Sequence, residues 1–164
     1  MPSEVTVKVK VPPYLKKYIL AQSVNKQEPA IFERKHIYNI SLIHKVTNYN
    51  RLTSLPVDER DNVMDYFYNR WKTFEAIQIQ LPFNERKDVR YFNYLSVNNK
   101  YAFVKEVKED FYFEISRFLI REMRKRTERK VAIHKFLQQY NITEDDVQLE
   151  TIYRQTSRIL EPML

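Results

Sequence analysis

From Asn99 to Arg126 the chain runs for 28 residues with no proline and no glycine to interrupt a helical backbone. Val104, Val107, Phe111, Ile115, Phe118, Leu119 and Met123 recur every three or four residues. That is the period of one buried helix face. Lys105, Lys108, Glu109, Glu114, Arg117, Arg121 and Arg124 fill the positions between, so the opposite face is solvated. The pattern predicts a long amphipathic helix that serves as the packing centre of the domain.

The remainder of the 164 residues can supply a core around it. Hydrophobic residues make up 43% and charged residues 30%, and the 12 Tyr and 10 Phe provide bulky apolar surface. A chain of this length buries a core without staples. It has no cysteine, which excludes disulfides and thiolate chemistry and suits a reducing compartment. No apolar run approaches the ~20 residues of a membrane span, and Met1–Lys10 lacks a signal-peptide core. A cytoplasmic protein with no membrane partner is expected.

Glycine is absent altogether. Gly-rich phosphate loops, dinucleotide fingerprints and nucleophile elbows all need glycine for close backbone approach, so they are excluded. No cofactor is expected. Turns must fall to Asn, Asp and Pro.

Upstream of the long helix, Val5, Val7, Val9 and Val11 alternate with Thr6, Lys8 and Lys10, the signature of a half-buried strand. Pro12-Pro13 ends it and opens a helix carrying Tyr14, Leu15, Tyr18 and Ile19 inward. His36–Tyr49 predicts a second helix, with Ile37, Ile40 and Ile43 or His44 in rhythm. Arg51–Pro56 reads as a linker and Asp58–Asn69 as a short helix. Ile77, Ile79 and Leu81 mark a second strand within Thr73–Phe83, able to pair with the first. Val89–Leu95 is a third strand or an extended lead-in. The expected fold is α+β: a small antiparallel sheet covered by helices over residues 1–98, and a helical, helix-turn-helix-like part over 99–164 packed on it as one domain.

The catalytic inventory is thin, and no enzyme is expected. His36 and His44 lie eight residues apart, about 80° round a helix, a poor arrangement for one metal. Asp58, Glu59, Asp61 and Asp65, and Glu144, Asp145 and Asp146, offer magnesium ligands in principle. Both groups sit at expected helix N-termini, where the dipole explains acids.

Charge is more informative. The net charge is +7, and residues 121–135 hold seven cations against Glu122 and Glu128, a local surplus of five. Such density is either a solvated helix end or a surface that meets anions. Further on, a helix with Val131, Ala132, Phe136, Leu137 and Tyr140 inward closes near Asn141, which can take the left-handed conformation. Ile142 can plug the turn, and Thr143 with Asp146 can cap a following helix. That helix would turn Val147, Leu149, Ile152, Tyr153, Thr156, Ile159 and Leu160 inward. Thr151, Arg154, Gln155 and Arg158 would form an exposed stripe, of types that reach base edges and phosphates. The candidate nucleic-acid contacts are therefore Arg121, Arg124, Lys125, Arg126, Arg129, Lys130, Thr151, Arg154, Gln155 and Arg158.

The opening VTVKVKVPPYLKKYI resembles a ribbon-helix-helix repressor, and the likeness implies that Thr6, Lys8 and Lys10 read the major groove. Lys130–Leu160 resembles the C-terminal helix-turn-helix domains of phage and mobile-element regulators. With VKVPPYLKKYI early and YNITEDD late, the whole chain is similar to uncharacterised bacterial prophage and mobile-element proteins. These resemblances imply a DNA-binding regulator. The alternative is a protein-interaction or structural module whose basic surface docks an acidic protein partner.

Overall fold

Hydrophobic alternation builds a two-stranded antiparallel ribbon. The computed structural model describes residues 5–47, 74–82, 86–88 and 90–163. In it β1 (Thr6–Val11) pairs with β2 (Glu75–Gln80), placing Thr6 opposite Gln80 and Val11 opposite Glu75. Val9, Val11, Ile77 and Ile79 are buried on one face. The far edge of β2 is covered by Ala30, whose N–H donates to Gln78 O at 2.8 Å and whose carbonyl accepts from Gln80 N at 2.9 Å.

Five α-helices follow the same logic among the described residues. Helix α1 (Pro13–Gln22) starts with proline in its first turn and buries Tyr14, Leu15, Tyr18 and Ile19. Helix α2 (Ile37–Lys45) is capped by His36, and α3 (Val97–Arg124) by Ser96, whose hydroxyl accepts from Asn99 N. Helices α4 (Arg129–Gln139) and α5 (Leu149–Leu160) complete the fold, with a 3-10 turn at Glu161–Met163. The architecture is α+β, as the sequence predicts.

Helix α3 is the centre of one continuous core that takes in the ribbon and the other described helices. Phe111 sits at its middle, fully buried, with the rings of Tyr14, Tyr18, Tyr112 and Phe136 at centroid distances of 5.1, 5.2, 5.3 and 5.7 Å. Described residues on both sides of position 98 share this core.

Three expectations change, and a fourth is narrowed. Phe118 is half-buried, at the margin where α3 meets Phe136 (5.6 Å between rings), and Phe103 is fully buried in the interior. In α2 the inward face is Tyr38, Asn39 and Leu42, while Ile37 and Ile40 are exposed. Buried hydrogen bonds fix that rotation: Asn39 Nδ2 donates to Phe32 O and Glu33 O at 2.8 and 2.9 Å. Of the two alternatives for Val89–Leu95, the described residues 90–95 fit the extended lead-in: residues 90–92 are turn and bend, and Tyr94 forms an isolated antiparallel bridge to Thr47. Val131 is exposed and Ile133 takes its place in the core. The expected linker at Arg51–Pro56 and helix at Asp58–Asn69 lie outside the described residues. No described helix is long and apolar enough to cross a membrane.

Candidate nucleic-acid interface

Two left-handed residues shape the basic part of the molecule. Helix α3 ends at Arg124, and Arg126 follows at φ 63°. Its N–H donates to Met123 O at 3.0 Å, and Thr127 N donates to Glu122 O at 3.1 Å. This pair of bonds is a Schellman closure, which usually places glycine at the left-handed site. Helix α4 ends the same way: Asn141 has φ 55°, Asn141 N donates to Gln138 O, and Ile142 N donates to Leu137 O. Ile142 is buried, plugging the turn as expected.

The next expected helix does not start at Thr143. Residues 144–146 form a single turn, with Asp146 Oδ2 accepting from Thr143 N at 2.8 Å, and α5 begins at Leu149. Lys17 Nζ explains the arrangement by donating to Asp146 Oδ2 at 2.6 Å and to Asn141 O at 2.8 Å, which ties the turn to α1. Burial opposes ionisation of Asp146, but Lys17 and the Thr143 N–H outweigh it and hold its pKa below the usual carboxylate value. The α4–α5 connection thus spans residues 140–148, longer than the 3–4-residue turn of helix-turn-helix motifs.

The candidate cations of the α3–α4 turn fall into three groups by what they meet. Arg121, Arg124, Arg126 and Lys130 are exposed around the α3–α4 turn, and none meets a carboxylate among the described residues. Lys125 is exposed and lies 3.6 Å from Glu122. Arg129 is committed to the fold: its Nη2 donates to Tyr153 O at 2.9 Å and Thr156 Oγ1 at 2.8 Å, and its guanidinium stacks 4.2 Å from the Tyr153 ring centroid.

Glu122 lies beside this turn and pairs with lysines outside the first group. Its carboxylate accepts from Thr127 Oγ1 at 3.1 Å and lies 3.6 Å from both Lys125 and Lys135. Desolvation works against its charge, yet the hydroxyl and the two ammoniums win and lower its pKa. One of the two local acids is therefore already spoken for, and the arginines beside it are surplus.

On α5, Arg154 and Arg158 are exposed with no carboxylate partner among the described residues, whereas Thr151 and Gln155 are half-buried at the edges of the stripe. Ile152, Thr156 and Leu160 form the buried face. Tyr153 and Ile159, expected inward, are 39% and 38% exposed. Of the ribbon-helix-helix positions, Thr6 and Lys8 are exposed on the outer face and Lys10 is half-buried. Their strand is paired within the chain, to β2.

Sequence reasoning missed Tyr153 and Glu122. Tyr153 falls between the apolar and cationic faces of α5, and only the Arg129 stack shows which side it serves. Glu144 and Asp145 are exposed on the connection. Among the described residues no three His, Asp or Glu side chains converge as a metal site. No family model, curated protein or solved structure matches the chain.

Proposed function

We propose that the protein is a non-enzymatic DNA-binding protein of the regulator type, contacting phosphates through the α3–α4 turn and through α5. The observation that supports this most is the surplus of exposed cations around Glu122, a carboxylate already occupied by Lys125, Lys135 and Thr127. The helix dipole accounts for Arg121 and Arg124 at the C-terminal end of α3. It does not account for Lys130 in the first turn of α4, where a cation opposes the dipole. Glu128 gives that turn no side-chain cap. A phosphate there would satisfy both the open amides and the cations.

Arg126 adds a second support. A residue with a Cβ in the left-handed region costs roughly 1–2 kcal/mol, and the position holds an exposed arginine instead of glycine or asparagine. Strain kept at a charged surface position fits a functional demand on that charge.

An electrophoretic shift assay at low salt tests the reading. The wild-type protein should retard DNA, and Arg121→Glu with Arg124→Glu should abolish the shift while leaving the thermal melt intact. Unretarded DNA with folded wild-type protein would remove nucleic acid and leave an acidic protein as the partner of the basic surface.

A further inference from the structure

Between α4 and α5 lies a cavity of about 530 Å³, within the ~300–1,000 Å³ of small-ligand sites. Ile133 and Leu149 give it apolar lining. Lys130 and His134, one turn apart on α4, contribute from one side, and Glu150 and Tyr153 contribute from α5. The Tyr153 ring is held in place by the Arg129 guanidinium, itself anchored to Tyr153 O and Thr156 Oγ1. A rigid, partly exposed aromatic ring beside a cation is the arrangement that stacks an unpaired base and holds its phosphate.

Duplex DNA cannot use such a slot, because its bases present edges and not faces. A single strand, a bulge or a frayed end can. Glu150 adds an acceptor for an exocyclic amino group. Arg154, one turn beyond Glu150 on α5, is exposed and adds positive charge beside the cavity lining.

We infer that the α4–α5 slot takes one unstacked base of a single-stranded nucleic acid, with Tyr153 as the stacking platform and Lys130 at the neighbouring phosphate. The inference rests on the nucleic-acid reading above and narrows it to strands with an accessible base face. An aromatic side chain of a protein partner is the competing occupant.

Fluorescence anisotropy with a labelled single strand, the matching duplex, and a single strand carrying abasic sites tests it on the wild-type protein. The slot predicts that the single strand binds most tightly and that abasic substitution raises Kd about tenfold, as loss of a stacked base does. Tyr153→Leu should give a similar rise for the intact strand and leave duplex affinity within about twofold, and Tyr153→Phe should bind as wild type. Equal Kd for intact and abasic strands would overturn the slot while salt-dependent binding preserved the broader reading. Binding to neither form at low salt would overturn both, and would leave the cavity to a protein side chain.

Discussion

The carboxylate of Asp110, midway along α3, accepts the hydroxyl of Tyr38 at 2.8 Å. The same oxygen accepts Tyr18 from α1 at 3.0 Å, so one side chain clasps three helices. Burial, reinforced by the neighbouring carboxylate and phenol, pushes both tyrosines well above the ordinary phenol pKa and keeps them as neutral donors. This direction is opposite to that of an activated nucleophile. Asp110→Leu should therefore destabilise the protein by about 3 kcal/mol, since two largely buried hydroxyls lose their acceptor. Asp110→Asn, which keeps an acceptor oxygen, should cost less than half as much. Urea midpoints for the two variants decide it; equal losses would show that the clasp is not what holds the helices.

Arg126 links stability to function with opposite signs. Arg126→Gly relieves the left-handed Cβ but adds unfolded-state freedom, so the net gain should be about 0.5–1 kcal/mol. The same change removes one cation from the proposed interface. Thermal melts and DNA affinity measured together should show a more stable and weaker-binding variant. A loss of stability would mean that the guanidinium makes contacts that outweigh the backbone term.

His36 makes α2 sensitive to acid. Its Nδ1 accepts the Tyr38 N–H at 3.1 Å, and its ring stacks on Phe32 at 5.3 Å. Burial lowers its pKa from the ordinary 6.5, against the opposing pull of Asp110 and Glu33. The unfolded chain therefore binds the proton first. Stability from this group is intact above pH ~6.5 and is lost as pH falls below it, until the folded form also protonates. His36→Asn keeps a capping oxygen and cannot titrate. Comparing urea midpoints at steps from pH 8 to pH 5 should show a steeper loss for wild type than for the variant. Parallel curves would exclude His36 as the source.

How far the sequence could be read follows from which physical signals are local. The α3 period, the Val5–Val11 alternation, Pro13 at the head of α1 and the left-handed Asn141 are all properties of short windows, and the structure has each of them. The rotation of α2 was not legible, because it depends on Asn39 reaching the carbonyls of Phe32 and Glu33 and on Tyr38 reaching Asp110, 72 residues away. The start of α5 was obscured in the same way: Thr143 and Asp146 do hydrogen-bond, but Lys17 captures Asp146 from across the fold. Among the candidate contacts, Arg129 has the composition of a phosphate ligand and the geometry of a brace for Tyr153. Only the three-dimensional neighbourhood separates those roles.

The salt dependence of DNA affinity reads out how many phosphates the basic surface neutralises. Arg121, Arg124, Arg126, Lys130, Arg154 and Arg158 are exposed and meet no carboxylate among the described residues. If all six neutralise phosphates, log Kobs should fall against log salt with a slope of about −5, from roughly −0.9 per contact. Arg124→Ala with Arg126→Ala should make that slope shallower by about 2. A slope near zero, or no binding by folded protein at low salt, would contradict the account.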